Sequence, residues 1–149
     1  MKKILCLLLW GVLISCSTIS EDEIVISEKP AKVTENALII TPSKPIRTTK
    51  YPFNFLLIGV PSTYKLESKG WTLVAPNGDR IKVVAILKTK NGTETRFDHV
   101  GFTYGNQKQY LSLTADPNEK LEDEYNEVQI TSSQQFMADE VRWLSTAKY

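Results

Sequence analysis

The sequence is poor in the residues that carry most catalytic and metal chemistry. Its 149 residues include one histidine, His99, and two cysteines, Cys6 and Cys16. That leaves little material for a zinc or iron centre. The 18 Lys and Arg nearly balance the 17 Asp and Glu, which argues against the basic patch or stripe of a nucleic-acid binder. The longest apolar run, Ile4 to Ile14, has eleven residues, well short of the about 20 that a membrane-spanning helix needs. Neither a Gly-x-Ser-x-Gly elbow nor a phosphate loop ending in Lys is present. His99 follows Asp98 directly. Neighbouring strand residues point to opposite faces, so the two are not expected to pair, and His99 reads as a surface or satisfied strand histidine.

What is present begins at the N-terminus. Met1-Lys2-Lys3, the apolar run and Ser15-Cys16 have the build of a secretory signal peptide, with a basic start and a small residue at the end. Leu13-Ile14-Ser15-Cys16 resembles the lipobox of bacterial lipoprotein precursors, with Ile14 a less usual occupant of its position. The resemblance implies cleavage before Cys16, guided by Leu13, Ile14 and Ser15, and diacylglycerol on the Cys16 sulfur. Two or three acyl chains hold a protein firmly to a bilayer. In Gram-negative lipoproteins an Asp after the cysteine commonly retains the protein at the inner membrane. Ser17 therefore implies, in such a host, an outer-membrane protein facing the periplasm.

Cleavage would remove Lys2, Lys3 and no acid, leaving 16 basic against 17 acidic residues, a net of −1. The remaining cysteine would be the lipidated one, which discounts disulfides, thiol nucleophiles and thiolate metal ligands. Residues 17 to about 36 are rich in Ser, Thr, Glu, Asp and Lys and read as a tether. Within it, Ile24-Val25-Ile26 offers an edge strand. A further irregular stretch contains Pro42, Pro45 and Pro52, with a strand expected before it at Ala37 to Thr41. The expected organisation is a signal peptide over 1–15, lipidated cysteine and tether or irregular segment over 16–50, and a folded domain over 51–149.

From Tyr51 the pattern is β. Phe53 to Val60 is a strand stopped by Pro61, and Arg80 to Lys88 alternates around Ile81, Val83, Ala85 and Leu87. Thr93 to Tyr104 places Thr95, Phe97, His99 and Gly101 on one face, with Val100 and Phe102 on the other. Lys108 to Ala115 and Glu127 to Thr131 are further alternating runs. Turn signals at Asn77-Gly78, Asn91-Gly92, Gly105-Asn106 and Asp116-Pro117-Asn118 recur about every 13 residues, which indicates an antiparallel sandwich or barrel. The expected fold is an all-β antiparallel sandwich, Ig-like or jelly-roll-like. The tail from Gln134 to Lys148 reads either as helix or as strand, with strand favoured. Ile130 to Ser133 and Val141 to Trp143 resemble the closing strand pair of lectin-like jelly rolls. Leu121 to Tyr125 resembles the tyrosine corner of Ig-like sandwiches, in which a Tyr hydroxyl bonds back to upstream backbone. Tyr125 is out of phase with Val128 and Ile130, which favours Tyr125 covering a sheet edge instead.

Glu119, Glu122, Asp123, Glu124 and Glu127 crowd one segment but lack the spacing of an EF-hand, so they read as a solvated loop rather than a calcium site. Facing a basic partner, such a cluster raises the association rate. Tyr51, Tyr104 and Tyr110 sit beside turns, where Tyr often serves binding, whereas Trp71 and Trp143 are expected in the core. The sequence thus implies a non-catalytic, lipid-anchored envelope protein without cofactor or metal. It binds a protein partner or, alternatively, peptidoglycan or lipopolysaccharide, and does not bind nucleic acid. The candidate surface is Tyr51, Tyr104, Tyr110, Glu122, Asp123 and Glu124. Size, lipobox and a β-domain resemble the small lipoproteins that neutralise toxins injected into the periplasm. That resemblance is one of class and transfers no site residues.

Overall fold

A computed structural model describes residues 22–27, 29–48, 53–67, 72–104 and 109–145. Every regular element among them is a β-strand. In chain order these are β1 (Asp22–Ser27), β2 (Ala31–Val33), β3 (Leu38–Ile40), β4 (Ile46–Arg47) and β5 (Phe53–Ile58). Then come β6 (Lys65–Glu67), β7 (Thr72–Val74), β8 (Arg80–Ile81), β9 (Val83–Lys88) and β10 (Glu94–Tyr104). The chain continues through β11 (Gln109–Ala115), β12 (Glu124–Tyr125), β13 (Glu127–Ser132), β14 (Phe136–Ala138) and β15 (Glu140–Ser145).

Eight strands form one antiparallel sheet in the order β1-β15-β5-β11-β10-β9-β13-β3. The long strand β10 joins its two halves. Glu94 to Phe97 pair with β9, whereas Phe97 to Tyr104 pair with β11. Between Phe97 and His99 the register slips, and Asp98 is the extra residue of a β-bulge. A bulge bends its strand and sharpens the twist, so the sheet coils until side chains from both halves share one core. The result is an all-β architecture whose main sheet nearly closes into a barrel. Small sheets β2-β14, β4-β12 and β6-β7-β8 complete it.

The bulge also resets the alternation. Thr95 and Phe97 are buried, and so is Val100, while His99 is exposed. The expected grouping of His99 with Phe97 fails because one additional residue turns the strand by half a period. Phe97 then meets Trp143 of β15 edge-on, with ring centroids 5.9 Å apart and planes at 75°. Phe55, Leu57, Leu111 and Leu113 line the core from one half of the sheet, and Ala85, Leu87, Val128 and Ile130 from the other, all fully buried. Truncating Phe97 or Trp143 to Ala would cost about 3–5 kcal/mol.

Residues expected to be tether are part of this fold. β1 lies at one edge of the main sheet beside β15, β3 at the other edge beside β13, and β2 and β4 pair with β14 and β12. Val33 and Ile46 are completely buried. The folded domain therefore starts by Asp22 rather than at Tyr51. The edge strand offered at Ile24–Ile26 is β1, and the strand expected at Ala37–Thr41 is β3. The tail is strand, as favoured, but the closing-pair resemblance fails. β13 lies between β9 and β3, and β15 between β1 and β5, so the two are not neighbours.

Tyr125 does not cover an edge. It is fully buried; its hydroxyl accepts from the Glu122 backbone N–H at 2.9 Å and donates to Thr95 Oγ1 at 2.6 Å. This bond back to backbone three residues upstream is the hydrogen-bond pattern of a tyrosine corner. The phase conflict dissolves because Tyr125 belongs to β12, in a different sheet from Val128 and Ile130. Asn126 interrupts the chain between them and donates its N–H to Lys88 O at 2.8 Å.

Candidate functional site

Cross-strand register fixes which turns share an end of the barrel. Asp22 lies opposite Ser145, and Ser145 opposite Phe53. Leu113 lies opposite Phe55, so β11 finishes at this same end. The 116–126 segment that follows β11 therefore begins at the Asp22 end. At the opposite end Ile58 lies across from both Glu140 and Tyr110, and Tyr104 across from Gln109.

The expected binding surface is consequently split. Tyr104 ends β10 and Tyr110 stands near the start of β11, both at the Ile58 end, while Glu122, Asp123 and Glu124 belong to the segment that leaves from the Asp22 end. Tyr51, Trp71, Cys16 and residues 13–15 lie outside the described residues. One carboxylate and two backbone carbonyls of this segment tie it to Arg47 and Thr48. Arg47 Nε is 3.5 Å from Glu124 Oε2, the Thr48 hydroxyl donates to Glu122 O at 2.5 Å, and the Thr48 N–H donates to Asp123 O at 3.2 Å. Among the described residues no group of three or more His, Cys, Asp or Glu is placed to hold a metal ion.

Asp98 and His99 do approach each other, contrary to expectation. His99 Nδ1 is 3.6 Å from Asp98 Oδ1 because the bulge brings adjacent side chains to the same side. A depression of about 250 Å³ beside them is lined by His99, Gly101, Ser112 and Thr114. An Asp-oriented imidazole near hydroxyls is the arrangement that activates a nucleophile. Here, however, 3.6 Å is too long for a hydrogen bond, and Asp98 Oδ2 already accepts from Arg96 Nε at 2.7 Å.

The outer face of β10, β9, β13 and β3 carries a more extensive feature. Ile39, Gln129, Ile86 and Arg96 are successive cross-strand partners, so they form one row on one face. Ile39 is 58% exposed. Beside the row lies a depression of about 390 Å³, lined by Val84, Ile86, Lys82, Arg96, Thr131 and Ser133 among others. It shares Glu35 and Ser133 with a second depression of about 450 Å³ that includes Lys32, and Lys82 with a third of about 220 Å³ that includes Arg80 and Asp98. The first is a shallow groove on this face; through the shared residues it adjoins the other two, and the three linings include the cations Lys32, Lys82, Arg80 and Arg96 and the acids Glu35 and Asp98. Arg80 is bound by Glu67 and Arg96 by Asp98.

On the next row Lys88 lies between Glu127 and Glu94. Lys88 Nζ is 2.6 Å from Glu94 Oε1. That hydrogen bond holds the ammonium pKa above its ordinary 10.5; desolvation opposes it, and the charges of Glu94 and Glu127 reinforce it.

The groove was missed by reading only one face of β9. Ile81, Val83, Ala85 and Leu87 satisfy the core, but Val84 and Ile86 are apolar as well. A strand apolar on both faces has its second face covered or used, and that was the available signal. No protein family model, curated protein or solved structure matches the chain.

Proposed function

We propose that this chain is a lipid-anchored envelope protein that binds a protein partner along the outer groove of β9, β10, β13 and β3, and that it is not an enzyme. The lipobox-like Leu13-Ile14-Ser15-Cys16 supports the anchor. The observation that carries binding is the row Ile39-Gln129-Ile86-Arg96, apolar and cationic, beside an open groove. Such a surface fits an acidic partner face with apolar contacts at its centre, where aromatic and aliphatic anchors contribute most. Binding of inhibitor or immunity type needs a broad face of this kind rather than an enclosed cleft.

The test uses a photoreactive residue at Gln129 in living cells, with another at Tyr110 as control. A discrete crosslinked protein from position 129 alone is expected. The purified pair should then lose at least tenfold in affinity on Lys82→Glu. Absence of a crosslink at 129, or an affinity indifferent to Lys82→Glu, would refute the reading.

A second reading is an anionic envelope polymer, peptidoglycan or lipopolysaccharide. It is favoured by Lys82 and Arg96 standing beside the Thr131 and Ser133 hydroxyls. Co-sedimentation with either purified polymer, abolished by Lys82→Glu and by salt, would select it.

A further inference from the structure

We propose that the Asp22 end of the barrel is held at the lipid surface and that the Ile58 end points away from it. The inference rests on lipidation of Cys16 and goes beyond partner binding, because it fixes which parts of the domain a partner in the aqueous space can reach.

Cys16 and Asp22 are six residues apart, and Asp22 is already the first residue of β1. Whatever its conformation, a segment of that length spans at most about 20 Å. A tether of about 20 residues would have left orientation free, since its root-mean-square reach alone is roughly 25 Å. With the chain paired from Asp22, that freedom is gone. The register then determines what lies near the bilayer. Asp22, Ser145, Phe53 and Ala115 end their strands together, and the 116–126 segment follows Ala115. To invert the domain, Asp22 would have to rise by the length of six-residue strands such as β5 and β15, about 20 Å, plus the depth of the turns beyond Ile58. The segment from Cys16 cannot reach that far.

The anchored end brings Asp116, Glu119, Glu122 and Asp123 toward the headgroups with Lys120 among them. It is therefore held by the acyl chains rather than by attraction to anionic lipid. The 59–64 segment, which follows Ile58, remains open to the aqueous side.

The experiment uses the mature lipoprotein in phosphatidylethanolamine–phosphatidylglycerol vesicles. With Cys16 acylated and Cys6 removed, an introduced thiol is the single reactive one. Lys120→Cys and Ser62→Cys both replace exposed side chains and carry the same fluorophore. A headgroup spin label is expected to quench the probe at position 120 several-fold more than the probe at 62. A 20-residue Gly/Ser insertion after Ser17 should largely abolish that difference. Equal quenching without the insertion, or stronger quenching at 62, in protein that floats with the vesicles and carries the acyl mass, overturns the orientation while leaving the anchor intact. Protein that lacks the acyl mass and does not float overturns the anchor, and the orientation with it.

Discussion

Replacing Tyr125 by Phe removes one oxygen atom and tests the corner that ties the 116–126 segment to β10. The ring stays in its fully buried site, so apolar packing is preserved. Two hydrogen bonds disappear: the Glu122 N–H loses its acceptor at 2.9 Å, and Thr95 Oγ1, on a side chain only 2% exposed, loses its donor at 2.6 Å. A lost hydrogen bond costs about 1 kcal/mol net, and a buried polar group left unsatisfied about 1–3 kcal/mol. Because Glu122 is only partly buried, water can repair one of the two. The expected loss is about 2 kcal/mol, a substantial fraction of the 5–15 kcal/mol typical of a domain. For a domain of this size, that corresponds to a fall in Tm of about 6–10 °C.

The assay is urea unfolding of the purified Cys16→Ser protein, comparing Tyr125→Phe, Thr95→Val and the double variant. The m-value should stay constant while the midpoint falls. The cycle should show a coupling of about 1 kcal/mol. A Tyr125→Phe protein within about 0.5 kcal/mol of its parent, or strict additivity of the two substitutions, would refute the claim that this hydroxyl bridges the corner.

Three further outcomes are expected. Gly59→Ala should destabilise by at least 1 kcal/mol more than Gly78→Ala in the same assay. Both glycines have positive φ, 77° and 88°, and share a cost of about 1 kcal/mol, but a Cβ at Gly59 would overlap the Asp139 side chain as far back as its own Cβ, while Gly78 faces open space. The folded-state pKa of Lys88 is raised, so its contribution is complete below the unfolded value near 10.5 and is lost as pH climbs through the folded value. Glu94→Gln should accordingly flatten the alkaline decline of stability above about pH 10.5 and change little at pH 7 beyond the lost ion pair. Ile39→Lys, on an exposed edge-strand position, should leave Tm within about 2 °C of the parent and weaken capture of the partner crosslinked at Gln129; wild-type affinity would detach Ile39 from the binding face.

Much of the fold was legible because its signals are local. Gly78 and Gly92, read as turn residues, adopt positive φ, and the alternating runs of β9, β11 and β13 are strands. What could not be read depends on partners distant in sequence. The bulge at Asp98 carries no Gly or Pro to announce it, yet it decides the phase of everything after it in β10. β2 looked like tether and β4 like irregular chain because strands of two or three residues bury few side chains. Val33 and Ile46 appear isolated until β14 and β12 arrive beside them about 80–100 residues later in the chain. Tyr125 was judged against the phase of β13, although it pairs in another sheet. For the binding surface, alternation alone could not tell that Tyr104 and Tyr110 would stand at one end of the barrel and the acidic segment begin at the other. The apolar outer face of β9 was readable and is the feature on which the binding proposal now stands.

The proposed anchor at Cys16 underlies both the proposed location and the proposed orientation of the domain. Its most direct test is the intact mass of the protein extracted from membranes. The account predicts a chain beginning at Cys16 and carrying diacylglycerol, with or without a further acyl group, and complete loss of that species on Cys16→Ser. An unmodified Cys16, or a mature chain that begins elsewhere, would contradict it.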